Sequence, residues 1–163
     1  MGKIDGCDCK MERTRLVWIV DLLCGMLLIG ITIWVTYCYT ALPDKIPVHY
    51  GADGVVDGYA NKKMIWVLLS IMWIVVGMLS VAERFPRFWN ISVKVTKENQ
   101  CRLLTITWHL ISTAKLLVAG VFTYLIAMTI QGGNLSAYFT PTLFAAICLN
   151  SLYWVIKLFL GLK

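Results

Sequence analysis

Apolar residues in this chain do not alternate with polar ones at short period. They run on in four long stretches: Leu16 to Tyr39, Met64 to Ala82, Leu103 to Ile130 and Ala137 to Leu160. Crossing a hydrocarbon layer about 30 Å thick takes roughly 20 apolar residues per helix, and each stretch meets that length. The pattern predicts an all-α integral membrane protein, a four-helix transmembrane bundle with helices at 16–39, 64–82, 103–130 and 137–160. Between them lie a polar loop at 40–63, a basic loop at 83–102 and a short third connection. Little sequence remains for a separate soluble unit, so residues 1–163 read as a single membrane domain.

Composition agrees. Hydrophobic residues make up 59% of the 163 positions, and the mean hydropathy is +0.72. Soluble domains carry roughly 45–50% apolar residues, so one water-soluble core cannot bury this many. Lys10, Arg13 and Arg15 precede the first stretch as in a secretory leader. That stretch exceeds the about 7–15 residues of a leader's apolar region and ends without a small-residue cleavage pattern, which predicts a retained helix. The opening Met-Gly-Lys-Ile-Asp-Gly has glycine where a myristoylation signal takes Ser or Thr.

Charge gives the expected orientation. Lys3, Lys10, Arg13 and Arg15 flank the first helix, Arg84, Arg87, Lys94, Lys97 and Arg102 occupy the second connection, and Lys157 and Lys163 close the chain. In the first connection Lys45, Lys62 and Lys63 are balanced by Asp44, Asp53 and Asp57, and the third connection has no basic residue. Cationic flanks stay in the cytoplasm, so both termini are expected there, with loop 40–63 outside. The net charge of +6 then belongs to a surface facing anionic lipid headgroups rather than to a nucleic-acid footprint. Trp18, Trp89, Trp108 and Trp154 fall at the inner helix ends, and Trp34, Tyr37, Tyr39, Trp66 and Tyr138 at the outer ends. Such aromatic belts mark the two water interfaces, and only Trp73 sits mid-span.

Ionisable groups inside a span are costly and require partners. At a rise of about 1.5 Å per residue, Asp21 lies roughly 10 Å to the cytoplasmic side of the middle of helix 1, and His109 at similar depth in helix 3. A contact between those two fits this spacing. Lys115 in helix 3 and Asn150 in helix 4 are near the midplane, and the lysine stem is long enough to reach back toward Asp21. Helix 2 carries no charge. Asp21, His109 and Lys115 read either as a relay in a small transporter or transport-complex subunit, or as a structural polar clasp between helices 1 and 3. The clasp needs no polar step in the outer half of the bundle, where the sequence offers none, and no helix breaks of the transporter kind. Gly25, Gly30, Gly77, Ala114 and Gly120 are expected to let helices approach closely.

The polar loop, LPDKIPVHYGADGVVDGYANKK at 42–63, has more candidate chemistry. Asp53, Asp57 and Gly58 imitate the start of a calcium loop, but Val55 and Met64 stand where that loop needs ligands. A looser divalent-cation site at Asp53 and Asp57 stays open as the basis of a metal-dependent membrane enzyme. Zinc hydrolysis lacks clustered ligands, since His49 and His109 are on opposite sides, and no Ser, Thr or Cys in the loop can serve His49 as nucleophile. The expectation is a non-enzyme with no resident metal or cofactor. Pro43 and Pro47 favour extended backbone before them, while Val48 to Tyr50 and Val55-Val56 flank the turn residues Gly51 to Gly54. These features predict a small ordered hairpin. Asp44, His49, Tyr50, Asp53, Asp57, Tyr59 and Lys62 are its candidate ligand-binding residues, because loops on rigid scaffolds carry recognition. None of the six cysteines (Cys7, Cys9, Cys24, Cys38, Cys101 and Cys148) lies in the loop, which excludes a disulfide framework there. Cys7, Cys9 and Cys101 read as reduced thiols, with a metal site as the alternative.

Leu42-Pro-Asp-Lys-Ile-Pro-Val-His-Tyr50, with Gly54, Asp57-Gly58 and Asn61-Lys62, resembles the signature of a family of small bacterial membrane proteins. The family is domain of unknown function 1648, the domain found in the immunity protein of the sporulation-delaying cannibalism toxin. A second block, Phe85-Pro-Arg-Phe-Trp-Asn90 with Val93 to Asn99, is similar to the cytoplasmic connection of those proteins. The resemblance implies a bacterial cytoplasmic-membrane location, an extracellular factor such as an amphipathic toxic peptide as partner of the loop, and a cytoplasmic regulator as partner of residues 84–99. The basic residues of that block also suit lipid headgroups, and Thr96 is a candidate cap for helix 3, with Glu98 in its first turn.

Overall fold

The structure is a computed structural model that describes residues 13–86, 89, 91 and 95–160. Cys7, Cys9, Arg87, Lys94 and the basic residues at both chain ends other than Arg13, Arg15 and Lys157 lie outside the described residues. Four helices, α1 (Arg15–Cys38), α2 (Met64–Ala82), α3 (Gln100–Gln131) and α4 (Phe139–Leu160), are each long and apolar enough to cross a membrane. A 3-10 turn at Tyr39–Ala41 and a two-stranded antiparallel hairpin, β1 (Lys45–Tyr50) and β2 (Val56–Asn61), join α1 to α2. The protein is a multi-pass membrane bundle with its only described sheet at one end, and the two ends are called here the hairpin end and the opposite end.

Burial follows a helical stripe on α1 and α2. Val17, Val20, Cys24, Leu28, Ile31 and Val35 on α1 and Ile65, Leu69, Met72 and Val76 on α2 recur at three- and four-residue intervals, as a single inward face requires. Both stripes pack on α3, which contributes Ala119 and Ile126 to the same core. The central helix of the bundle is therefore α3, which touches α1, α2, α4 and β1. Helix α4 packs on α3 and buries little besides Trp154, whose indole donates to Thr113 Oγ1 at 2.9 Å. At the opposite end Ile91 joins Leu103 and Leu104 in a second small cluster, with Trp89 against it and its indole donating to the Ala82 carbonyl at 2.8 Å.

Several expectations are corrected. Gly25, Gly30, Gly77 and Gly120 do not mark close helix contacts: a Cβ at any of them would meet nothing within 4 Å. Close packing is instead carried by the branched and sulfur-containing side chains of the stripes. Helix α3 begins at Gln100 with Asn99 as its cap residue, so Glu98 is outside the first turn. Thr96 caps the turn before α3: its Oγ1 accepts from the Asn99 amide at 3.4 Å, while Asn99 Oδ1 accepts from the Thr96 amide at 2.8 Å. Cys101 is disulfide-bonded rather than reduced, whereas Cys24, Cys38 and Cys148 are free. The end of α3 is marked by Gly132 at φ +70, a left-handed residue whose amide closes on the Met128 carbonyl.

Candidate functional site

The hairpin is built to stay in one place. Ile46 is completely buried and Leu42 nearly so, and both belong to the main bundle core. Pro47 precludes an amide donor within β1, and the pairing of Pro47 with Tyr59 is followed by register irregularities around His49. The turn that joins the strands is clamped from the side by the α3–α4 connection. Gly54 accepts from the Leu135 amide at 2.8 Å, Asn134 Oδ1 accepts from the Val56 amide at 3.0 Å, and Thr140 donates to the Ala52 carbonyl at 3.4 Å. Gly54 sits at φ +82, and a Cβ there would come within 2.8 Å of the Leu135 carbonyl oxygen. Only glycine combines that backbone with that approach.

The other side of the hairpin faces away from the bundle. His49 Nδ1 and Asp57 Oδ1 form a short cross-strand contact with side chains 73% and 52% exposed. Gly58 makes it geometrically feasible, because His49 Cβ lies 2.8 Å from where a Cβ at that position would sit. Asp53 is used locally, accepting from the Val55 amide at 3.0 Å. Tyr59 is exposed, whereas Val48, though also exposed, lines a small cavity with Ile46 and Ile65 on the anchored side. Lys62 is turned inward to the base of the hairpin: its Nζ donates to the Leu42 carbonyl at 3.2 Å, lies 3.4 Å from Asp44 Oδ1 and sits over the Tyr39 ring. The Tyr50 hydroxyl is buried beside Thr129, and burial pushes its pKa above the ordinary tyrosine value, keeping it neutral.

Of the seven candidate loop residues, the structure thus brings His49 and Asp57 together on the exposed face, with Tyr59 and Asp53 also toward solvent. Asp44 and Lys62 pair at the base, and Tyr50 points into the bundle. Among the described residues no three of His, Cys, Asp and Glu form a group able to hold a metal ion.

A second polar constellation lies in the half of the bundle away from the hairpin. Lys115, only 1% exposed, donates to Asp21 Oδ1 at 2.6 Å and to Glu83 Oε2 at 2.7 Å. Ser112 donates to the other Glu83 oxygen at 2.9 Å, and Arg13 Nη2 lies 3.4 Å from Asp21 Oδ2. Two carboxylates and two cations, from α1, α3 and the residues just before α1 and just after α2, therefore neutralise one another. Glu83, 3% exposed, is the member that the sequence pattern missed. It is the sole acidic residue at the start of a basic loop, one position past the apolar stretch.

His109 is not part of this group. It meets Thr14 Oγ1 at 2.7 Å and its ring is 5.3 Å from that of Trp154, so the expected contact with Asp21 does not form. Thr14 also caps α1 by accepting from the Val17 amide. The clasp is opened on one side by a crevice of about 270 Å³ that reaches Cys24, Ser80 and Arg84. Asn150 lies elsewhere, with Ser151 on a largely apolar groove between α3 and α4.

These features define a multi-pass helical membrane protein with a clamped hairpin at one end and a charge-neutral clasp toward the other. Residues 26–74, which span the second half of α1, the hairpin and the first half of α2, match the model of the family described as Domain of unknown function (DUF1648). The block at 85–99 lies beyond that match. No curated protein and no solved structure matches the chain.

Proposed function

We propose that the protein is a non-enzymatic receptor of the toxin-immunity and signalling type in a bacterial cytoplasmic membrane, with both termini cytoplasmic and the hairpin outside. In this reading the hairpin recognises an extracellular amphipathic peptide. The observation that carries it is the division of labour across the hairpin. One face is anchored through Ile46 and the Gly54–Leu135 bonds, and the other presents the His49–Asp57 pair with Tyr59 also exposed. A fixed surface that mixes a hydrogen-bonded His–Asp pair with an aromatic ring binds an amphipathic chain without first paying to become ordered. The DUF1648 match covers these same residues.

The test is survival of a sensitive strain challenged with the sporulation-delaying toxin while expressing the wild-type chain, His49→Ala or Asp57→Ala. Expression should protect, and each substitution should reduce protection about tenfold or more, as loss of a charge-assisted contact does. Equal killing with and without the wild-type protein in the membrane contradicts immunity.

The crevice beside Lys115 gives the transport reading one specific observation in its favour. Lys115 nevertheless faces both carboxylates at hydrogen-bond distance, the geometry of a clasp.

A further inference from the structure

The charge in the crevice does not close to zero. Arg13, Asp21, Glu83, Arg84 and Lys115 all border it. Lys115 takes both carboxylates and Arg13 shares Asp21, which leaves the Arg84 guanidinium with no acidic partner among the described residues. Arg13, Glu83 and Arg84 also border a second cavity of about 340 Å³, together with Pro86 and Trp108. Trp108 is 8% exposed, and its buried indole N–H has no acceptor among the described residues. An unsatisfied buried donor costs about 1–3 kcal/mol, so such groups are rare in folded proteins, and a bound ion or ligand is one of the things that satisfies them. Two guanidiniums with spare donors and an orphaned indole N–H around one cavity ask for an oxygen-rich anion.

Position narrows the choice. Arg13 lies two residues before α1, Arg84 two residues after α2, and Trp108 about 12 Å into α3 at a rise of about 1.5 Å per residue. The cavity therefore sits where the bundle leaves the hydrocarbon layer. We propose that it is a binding site for a phosphate oxyanion, with Arg84 as the principal charge partner, Trp108 as a neutral donor and Arg13 between the anion and Asp21. The site's depth favours the phosphodiester of an anionic lipid headgroup as the source. It is independent of the hairpin and of any toxin.

The experiment is native mass spectrometry of the full chain in neutral detergent, titrated with phosphatidylglycerol, with phosphatidylcholine and with inorganic phosphate. Phosphatidylglycerol should bind with defined stoichiometry and more tightly than phosphatidylcholine. Arg84→Gln should weaken it about tenfold, and Trp108→Phe, which keeps the ring and removes the donor, about threefold or more. Lys157→Gln, a basic residue in the last turn of α4, should leave it unchanged. Displacement of the lipid by inorganic phosphate would assign the same site to a soluble phosphate, whereas retention of the lipid assigns it to the membrane. A Lys157→Gln effect equal to that of Arg84→Gln means diffuse attraction to basic flanks and overturns the proposal. Insensitivity to both Arg84→Gln and Trp108→Phe, or no binding of either probe by the wild-type chain, overturns it as well.

Discussion

Lys115→Met should be among the most destabilising single substitutions in the bundle, by about 3–5 kcal/mol, the range seen when one partner of a buried ion pair is removed. Glu83 accounts for most of that cost. It is almost fully buried and would keep only the Ser112 hydroxyl as donor, whereas Asp21 is partly exposed and retains Arg13. The pair as a whole is worth much less than its rupture, because interhelical polar contacts in membranes contribute only about 1–2 kcal/mol. Lys115→Met combined with Glu83→Gln should therefore recover most of the loss, leaving a neutral amide beside Ser112. Thermal unfolding of the detergent-solubilised variants measures both. A single variant as stable as wild type, or a double variant no better than the single, contradicts the clasp.

Gly54→Ala should release the hairpin without loosening the helices. Left-handed backbone costs a residue with a Cβ about 1–2 kcal/mol. The new methyl would also collide with the Leu135 carbonyl oxygen, a backbone atom that cannot swing away. If the turn yields instead, the Leu135 to Gly54 hydrogen bond is lost, for about another 1 kcal/mol. Amide exchange at 45–61 should accelerate by about tenfold or more while α2 and α3 stay protected. Gly30→Ala is the contrasting case, because its Cβ points into open space on α1. That change should be neutral or mildly stabilising, since alanine exceeds glycine in helix propensity by about 1 kcal/mol. Equal exchange in Gly54→Ala and wild type would show that the connection does not clamp the turn.

The parts of the fold that were legible in the sequence are those set by chain length and solvent. The bounds of α2 coincide with its apolar stretch, and α1 differs by one residue at each end, because lipid demands an uninterrupted run and polar residues stop it. The hairpin was visible in its turn residues and in the expected strand piece at Val55-Val56, but the run of β2 beyond Val56 was not. Val-Asp-Gly-Tyr-Ala-Asn has little β propensity and is a strand because β1 and the Gly58–His49 approach hold it there. Asn134 and Leu135 read as a plain connection because their partners, Val56 and Gly54, are some 80 residues away in sequence. Glu83 was hidden by its position just outside the apolar stretch. Counting charges by loop finds only a basic surface, whereas the end of α2 turns this side chain back toward Lys115. The glycines misled for the opposite reason: composition shows that they are small, not which way they face.

Hydrogen exchange on the wild-type chain in lipid nanodiscs, with and without the sporulation-delaying toxin, tests the hairpin as a preformed recognition surface most directly. The expected result is that amides of β1 and β2 are protected before toxin is added. Toxin should then slow exchange further in peptides carrying His49 and Asp57, an effect that Asp57→Ala should abolish. A hairpin that exchanges freely until toxin arrives, or toxin-dependent protection confined to other parts of the chain, would contradict it.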